Sequence, residues 1–230
     1  MPTDTSLRRL RIYGHRGSRR HALENTPESF SIALREGADG IETDVRRLVD
    51  GTFVLFHDDE IAGTPVETFT FAELSIAWPG VVKLESIREL RGNAELILEI
   101  KRRGFARELV DAVGGIERVI IAAFDHRLVL ELAELREQLG ARFELGLTIA
   151  GNMIGGGHYA RDLGARWLFP AHTFVDCELV AEYLEAGVNV VPWTPNSSHW
   201  WANLQLWGCH GVITDVPHDA VAWREAGQRS

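Results

Sequence analysis

The segment LILEIKRRGFARELVDAVGGIERVIIAAFDHRLVLELAELREQLGARFELGLTI, residues 96–149, shows most clearly which architecture this chain adopts. It contains three short aliphatic runs with the length and composition of buried strands. Amphipathic segments separate the runs, and in the second of these Leu128, Leu132 and Leu135 share one helical face. Alternation of this kind predicts parallel strands joined by right-handed crossovers. The predicted elements are strands at Leu96–Lys101, Val119–Phe124 and Phe143–Ile149, and helices at Phe105–Val113 and His126–Leu139.

The same alternation continues on both sides of this segment. Phe53–His57 is an additional extended piece, joined through the Asp50-Gly51 turn to the strand before it as a hairpin. Eight core strands separated by helices in a chain of 230 residues fit an α/β protein of the TIM (β/α)8 barrel type. A doubly wound open sheet is the alternative. The further core strands are predicted at Arg11–His15, Gly40–Arg46, Trp167–Ala171, Asn189–Trp193 and Val212–Asp215, and the further helices at Pro27–Gly37, 153–163, 175–186, 197–207 and 218–226.

The composition is that of one globular domain over residues 1–230. Hydrophobic residues make up 45% of the chain and charged residues 25%, and no Pro- or Ser-rich linker divides it. Acidic residues outnumber basic ones by 33 to 24, for a formal net charge of −9. This excess argues against a nucleic-acid partner, because a phosphate backbone is bound by surplus Lys and Arg. A small anionic substrate stays compatible with it, because such a molecule responds only to charges within about 10 Å.

The cysteines and the amino-terminal segment predict the cellular setting. Cys177 and Cys209 belong to no CxxC or zinc-finger spacing, which favours two free core thiols in a reducing cytosol. The sequence shows no signal peptide and no apolar stretch long enough to span a bilayer. We therefore expect a cytoplasmic protein without stable membrane insertion. Nothing in the sequence specifies an oligomeric state.

Ionisable residues cluster where the early strands end. The carboxyl ends of the strands are where a barrel carries its active site. Glu42 and Asp44 are two positions apart, so their side chains leave one face of a strand, and the same spacing relates Glu99 to Lys101. The residues at the strand ends are His15 and Arg16 for the first strand, Glu42 and Asp44 for the second, His57 and Asp58 for its hairpin partner, and Glu99 and Lys101 for the third.

Three carboxylates that converge at a barrel mouth need a counter-charge. Oxygen ligands suit a hard cation, so Glu42, Asp44 and Glu99 are candidate ligands of one divalent ion, Mg²⁺ or Ca²⁺. With that ion, Arg16 and Lys101 present, the site carries a charge near +1 and can hold a phosphodiester anion. The alternative is that the acids form salt bridges to basic residues, with Arg46, Lys101 and Arg102 as the candidates.

His15 and His57 are the candidate general acid and base. A diester leaving group needs a proton and the attacking hydroxyl must lose one, and imidazole titrates near neutral pH. A single histidine at a strand end is more often structural than catalytic. Two of them, each beside an ionisable residue and flanking the acids, favour catalysis.

The ordered set of motifs resembles the glycerophosphodiester phosphodiesterase family, and the match covers nearly the whole chain. Any one motif is weak, whereas the ordered set is specific. The matching residues are His15-Arg16-Gly17, Glu24-Asn25-Thr26 with Pro27-Glu28, Glu42-x-Asp44, His57-Asp58, Glu99-x-Lys101, Phe124-Asp125, Trp193-Thr194-x-Asn196 and Gly211-Val-Ile-Thr-Asp215-x-Pro217.

The resemblance implies metal-dependent hydrolysis of glycerophosphodiesters to an alcohol and sn-glycerol 3-phosphate in a TIM barrel. It implies one divalent metal on Glu42, Asp44 and Glu99, and acid–base catalysis by His15 and His57. Arg16 and Lys101 would contact the phosphate, and Trp193 the glycerol end of the substrate. The segment after His57-Asp58 departs from the family because it lacks the usual Arg and leads quickly into the third strand. This shortened insertion is expected to leave one side of the mouth more open.

Two other functions remain open at this point. The first is a phosphodiesterase or phospholipase for a different diester, of the lysophospholipid or inositol type. A metal-free inositol-type enzyme would share the two histidines but leave Glu42, Asp44 and Glu99 without a counter-ion. The second is a non-catalytic barrel that binds glycerophosphodiesters, which would be expected to have lost one of the two histidines.

Overall fold

The computed structural model describes residues 8–90 and 94–227. The strands are β1 (Arg11–His15), β2 (Gly40–Arg47), β3 (Phe53–Leu55), β4 (Glu60–Ile61), β5 (Thr64–Pro65), β6 (Val82–Lys83), β7 (Glu95–Ile100), β8 (Val119–Ala123), β9 (Glu144–Ile149), β10 (Trp167–Pro170), β11 (Asn189–Val190) and β12 (Gly211–Thr214). The helices are α1 (Pro27–Arg35), α2 (Phe71–Ala77), α3 (Ala106–Val113), α4 (His126–Leu139), α5 (Gly156–Asp162), α6 (Cys177–Glu185), α7 (Ser198–Trp207) and α8 (Pro217–Gly227).

Eight of these strands form the predicted barrel. They pair in the order β11-β10-β9-β8-β7-β2-β1-β12, and every pair for which a register is seen is parallel. Trp193 closes the ring, because its backbone bridges Ala171 on one side and Ile213 on the other. The predicted TIM barrel is therefore confirmed, and the doubly wound sheet is excluded.

The seventh barrel strand is shorter than predicted. We expected Asn189–Trp193, but the regular strand ends at Val190, and only an isolated bridge at Trp193 continues the ladder. Pro192 lies at this break and has no backbone N–H to donate to a neighbouring strand. The boundaries of the other barrel strands agree with the sequence prediction to within one or two residues.

The first helix begins where the sequence predicts it. The Thr26 side chain accepts a hydrogen bond from the backbone N–H of Ser29, and Ser29 in turn bonds the backbone of Thr26. Pro27 occupies the first turn, where its missing N–H costs nothing. This capped start fixes α1 directly after the loop that carries the first histidine.

Two apolar cores support the barrel. One fills its interior, and it ends below the mouth in a layer of large side chains. The other lies between the strands and the surrounding helices. The interior core consists of Tyr13, Ile97, Ile120, Ala122, Trp167, Phe169, Val191 and Ile213, with Trp193 packed against it.

The insertion between β3 and β7 forms a small unit beside the mouth. Antiparallel pairing of β3 with both β2 and β6 attaches it to the barrel. Its side chains Phe56, Val66, Leu74 and Val81 pack with Leu48 and Val54 of the β2–β3 hairpin in a third apolar cluster. Helix α2 in this unit begins with a capping box between Thr70 and Glu73.

Both cysteines are free, as predicted, but only Cys209 is a core thiol. Burial raises the pKa of Cys209 to about 12. Cys177 is exposed because it occupies the first position of α6, before that helix packs on the barrel. Across residues 8–90 and 94–227, we find no helix that combines the length and the apolar character needed to cross a membrane.

Candidate active site

His15 is followed by a tight turn that requires glycine at position 17. Arg16 has φ +54° and Gly17 has φ +88°. A β-carbon at Gly17 would lie 2.3 Å from Ser29 Oγ at the start of α1, so a larger residue does not fit. The turn places the Arg16 guanidinium and the His15 imidazole at the same end of the barrel.

Asp215, at the end of the last strand, orients His15. His15 Nδ1 lies 2.6 Å from Asp215 Oδ1. Because a carboxylate can only accept, Nδ1 carries the proton and donates it, which leaves Nε2 as the base of the neutral ring. Nε2 lies 3.9 Å from Glu42 Oε2, so it faces the acids. Burial opposes ionisation of Asp215, but hydrogen bonds from His15 and Asn196 outweigh it and hold its pKa well below the usual range.

The three predicted acids come together on adjacent strands. Asp44 on β2 is in register with Glu99 on β7, and Glu42 lies two residues earlier on the same face. Glu42 is 4% exposed and Asp44 1% exposed. Burial of carboxylates this close together is costly without positive partners.

Lys101 and Arg16 balance part of this charge. Lys101 Nζ lies 2.7 Å from Asp44 Oδ1 and also contacts Glu99 Oε1. Arg16 Nε lies 3.1 Å from Asp44 Oδ2, and Asn25 Nδ2 donates to the same oxygen at 3.1 Å. Burial opposes ionisation of Asp44, but the charges of Lys101 and Arg16 hold its pKa below the usual value. The salt-bridge alternative is thus realised for Asp44 and Glu99 through Lys101.

Glu42 is the acid without such a partner. Within the described part of the chain it forms no ion pair with a lysine or arginine, and its nearest basic group is His15 Nε2 at 3.9 Å. Burial, followed by the charges of Asp44 and Glu99, raises its pKa well above the usual value. A buried carboxylate surrounded by negative charge has the character expected of a cation ligand.

The donor chemistry fits a hard divalent ion, although Lys101 occupies part of the space between the acids. No group of three or more His, Cys, Asp or Glu side chains in residues 8–90 and 94–227 is already arranged to hold a metal ion. Lys101 supplies part of the predicted counter-charge through its contacts with Asp44 and Glu99. Of the three acids, Glu42 is the one that forms no ion pair with Lys101.

A buried arginine, Arg46, bonds to the main chain of His57. Arg46 is 1% exposed, and its Nη2 donates to the main-chain oxygen of His57 at 2.7 Å. The same guanidinium contacts Asp59 at 2.7 Å and Glu67 in the insertion. His57 Nδ1 lies 2.8 Å from Asp58 Oδ1 and donates to it, so Nε2 is again the free ring nitrogen.

A cavity of about 310 Å³ at the barrel mouth brings all the predicted site residues together. Its floor is apolar and belongs to the interior core. Trp193 lies at its edge, where Nε1 donates to the Phe169 carbonyl at 2.9 Å and the ring meets Phe124 edge to face at 5.9 Å. The predicted residues that line it are His15, Arg16, Glu42, Asp44, His57, Glu99, Lys101 and Trp193.

The sequence prediction assigned no role to Asp215 and gave Arg46 different partners from those in the structure. Asp215 follows the eighth strand directly, in the rim position that singled out the other residues, so the sequence held a signal for it. Arg46 was a predicted candidate partner of the three acids, whereas its side chain contacts Asp59 and Glu67 instead. No sequence signal distinguishes these partners, because they lie in the insertion.

The protein is a TIM barrel with an enzyme-type rim, since its ionisable side chains gather at the carboxyl ends of the strands. The model of the Glycerophosphoryl diester phosphodiesterase family matches residues 15–94 and 82–219, which together span most of the chain. The chain belongs to this family and is a phosphoric diester hydrolase, which confirms the resemblance found in its motifs. The family is generally dependent on a divalent metal ion.

Relatives of the same length share this assignment. The chain is 27% identical over 236 residues to a glycerophosphodiester phosphodiesterase of Caldanaerobacter subterraneus subsp. tengcongensis, covering 91% of this chain and 96% of the relative. It is 28% identical over 245 residues to a glycerophosphodiester phosphodiesterase of Bacillus altitudinis, covering 94% of this chain and 98% of the relative.

Solved structures share the fold. A glycerophosphodiester phosphodiesterase of Thermotoga maritima superposes with a TM-score of 0.81 at 24% identity, covering 93% of this chain and 97% of that one. A phosphodiesterase of Oleispira antarctica, solved in complex with the product sn-glycerol-3-phosphate, superposes with a TM-score of 0.81 at 22% identity, covering 94% and 96%.

Proposed function

We propose that this protein hydrolyses glycerophosphodiesters to an alcohol and sn-glycerol 3-phosphate, with His15 and His57 as the general acid–base pair. The observation that carries the proposal is the mouth cavity, which is lined by both histidines, both cations and all three acids. The Oleispira antarctica relative binds sn-glycerol-3-phosphate, and this supports the same product here. The activity is proposed for residues 1–230 acting as one domain in the cytoplasm.

The two histidines are suited to opposite halves of the reaction. Each has Nδ1 fixed by a carboxylate, Asp215 for His15 and Asp58 for His57, so that Nε2 is free to accept or donate a proton. His15 is on the first strand and His57 follows β3, so a phosphate between them would have one imidazole on each side. One ring would remove a proton from the attacking hydroxyl, and the other would protonate the leaving oxygen.

Glu42, Asp44 and Glu99 are the proposed ligands of one divalent ion, Mg²⁺ or Ca²⁺. Support comes from Glu42, which is buried beside two further acids and forms no ion pair with a lysine or arginine among the described residues. A bound ion would stabilise negative charge on the phosphoryl oxygens. Arg16 and Lys101, both at the mouth, are the proposed contacts of the phosphate, and Lys101 would exchange part of its contact with the acids for the substrate.

Trp193 is the proposed contact of the glycerol end. Its ring borders the cavity beside Phe124, and its N–H is already used by the Phe169 carbonyl. The face of the Trp193 ring is therefore the part of this side chain that can contact a ligand. A flat aromatic face suits the C–H surface of glycerol, while the hydroxyls can reach the polar rim.

Metal removal and histidine replacement test the proposal. EDTA should abolish hydrolysis of glycerophosphocholine, and Mg²⁺ or Ca²⁺ should restore it. His15→Ala or His57→Ala should lower kcat at least ~10²-fold, the lower end of general acid–base contributions. His218→Ala, an exposed histidine outside the mouth cavity, is the matched control and should retain activity.

Other outcomes would redirect the assignment. Full activity in EDTA would favour the metal-free inositol-type enzyme. Turnover of lysophospholipids with no turnover of glycerophosphodiesters would favour the phospholipase. Binding of glycerophosphocholine by the metal-loaded protein without any hydrolysis would favour a non-catalytic barrel.

A further inference from the structure

A second cavity lies next to the mouth and shares two residues with it. Its volume is about 410 Å³, larger than the mouth cavity of about 310 Å³. Arg16 and His57 line both cavities. A phosphodiester held by Arg16 beside His57 can therefore place one ester arm in each cavity.

One wall of this cavity is apolar and exposed. Leu23 is 43% exposed and Trp78 39% exposed, and the Trp78 ring meets the edge of Phe56 at 5.7 Å. Val81 continues the wall at the base of the insertion. A β-carbon built on Gly80 would come within 2.5 Å of Leu23 Cδ2, so the barrel loop and the insertion approach each other closely at this end.

The opposite wall is charged, but its carboxylates already have partners. Glu24 accepts from Arg16 at 2.8 Å and from Arg19 at 2.8 Å. Asp58 is bound to His57. No carboxylate lining this cavity lacks a cationic or imidazole partner in the described part of the chain, so an ammonium group would find no counter-charge there. An uncharged apolar group matches the free wall.

We propose that this second cavity binds the leaving alcohol of the substrate and selects an uncharged alcohol with an apolar chain, with Leu23 and Trp78 as its specificity-determining residues. This inference rests on the proposed function. In the hydrolysis, the bond between phosphorus and the alcohol oxygen breaks, an oxygen from water ends on phosphorus, and a proton ends on the alcohol. His57 borders the cavity where that proton is delivered.

A third cavity offers the competing position for the alcohol. It measures about 450 Å³ and shares His57, Glu99 and Lys101 with the mouth but not Arg16. Charged groups dominate its lining, among them Arg46, Asp59 and Arg102. An apolar chain gains little there, so this cavity serves as the control position.

Esters of glycerol phosphate with methanol, hexanol and choline test the proposal. Wild-type protein should show a higher kcat/KM for the hexyl ester than for the methyl or the choline ester. Trp78→Ala and Leu23→Ala should each lower the hexyl-to-methyl ratio of kcat/KM about tenfold, at the low end of what an apolar pocket contributes to discrimination. The two residues lie on separate segments, so a folding failure of one variant leaves the other as a test.

Ile76→Ala and Arg102→Ala are the matched controls. Ile76 is exposed on α2, two residues before Trp78, and does not line the second cavity, and Arg102 lines the third cavity instead. Neither should change the hexyl-to-methyl ratio. A ratio that falls only in Arg102→Ala would put the alcohol in the third cavity and overturn the proposal, as would equal rates on all three esters in wild type and variants. A preference for the choline ester that Trp78→Ala removes would likewise overturn it.

A binding measurement tests this inference separately from the proposed function. The glycerol ester of hexylphosphonate has a P–C bond in place of the scissile bond and cannot release hexanol. By calorimetry it should bind wild type about tenfold more tightly than the methylphosphonate ester, and Trp78→Ala should remove the difference. If wild type hydrolyses no ester, the proposed function fails while this measurement still decides on the cavity. Equal binding of the two phosphonates would refute the alcohol site alone.

Discussion

Acidic residues lie at both ends of the neighbouring strands β2 and β7. The number of basic partners available to these acids differs between the two ends. At the amino-terminal end, Asp39 and Glu95 are surrounded by four arginines. Asp39 binds Arg9 at 2.6 Å and Arg224 at 2.5 Å. Glu95 binds Arg11 and, at 3.1 Å, Arg118, and it also accepts from Tyr13 Oη at 2.6 Å.

At the carboxyl-terminal end, three acids share two cations. Lys101 pairs with both Asp44 and Glu99, Arg16 pairs with Asp44, and the Glu42 carboxylate forms no ion pair with either cation. Burial and the neighbouring acids raise the pKa of Glu42, whereas burial is outweighed by hydrogen bonds and arginine charges at Asp39 and Glu95, whose pKa values are lowered. At one end of this strand pair, partly buried acids are paired with arginines and stabilise the fold; at the other end, a buried acid has no lysine or arginine partner and is available to a ligand.

Breaking the amino-terminal cluster should have the largest effect on stability. Arg224→Met removes a buried guanidinium that bonds Asp39 and the main-chain oxygens of Leu10 and Gly37. The free energy of unfolding should fall by about 3 kcal/mol, as when one partner of a buried ion pair is lost. Urea unfolding with an unchanged m-value measures this. A loss below about 0.5 kcal/mol, typical of surface substitutions, would mean that the cluster is not structural.

Glu42→Gln and Glu95→Gln sharpen the contrast as a matched pair. Glu42→Gln should lower kcat/KM at least ~10²-fold, the upper end of what even residues that support metal ligands contribute. In EDTA it should raise the free energy of unfolding, because a neutral amide avoids burying an unpaired charge. Glu95→Gln should retain activity and lose about 1–2 kcal/mol of stability. Thermal melts and initial rates give both values. The reverse pattern would remove the functional distinction between the two ends.

A divalent ion should stabilise the protein through the acids at the carboxyl-terminal ends of β2 and β7, and not through those at the amino-terminal ends. Mg²⁺ or Ca²⁺ at about 100 times its dissociation constant should add about 2.7 kcal/mol to wild-type stability. Glu42→Gln should lose most of this gain, whereas Glu95→Gln should keep it. Calorimetric melts with and without the ion measure the difference without any substrate. Equal gains in both variants would place the ion elsewhere.

Protonation of His210 should have the smallest effect on stability, and the direction of that effect with pH can be stated. Burial, together with the charges of Arg11 and Arg8, lowers its pKa to about 4. Since the unfolded histidine binds its proton near pH 6.5, the unfolded state takes up more protons between these values, and stability should fall as the pH drops from about 6.5 to about 4. We expect a loss of about 1 kcal/mol over this range, reduced by partial solvent exposure, that His210→Asn does not show. Urea unfolding at several pH values tests it, and parallel curves for the two proteins would contradict it.

Much of the barrel follows from local patterns. The strand and helix periods in residues 96–149 are properties of short segments, so they can be read without knowing the partners. The predicted end of the seventh strand failed because Pro192 interrupts the ladder, which matters only once neighbouring strands are in place. Family membership was equally accessible, since ordered motifs survive in the linear sequence.

The barrel, the family and the residues at the rim could be predicted from the amino-acid sequence, because strand alternation and parallel crossovers bring the carboxyl ends of the strands to one rim. The tertiary structure decided which charges are satisfied. Lys101 bridges two acids and leaves Glu42 alone, and Asp215 reaches His15 across 200 positions of the chain. The second cavity likewise exists only because the insertion with Trp78 lies opposite Leu23. Charge balance and cavity shape depend on side-chain distances between remote segments, and no local pattern encodes those distances.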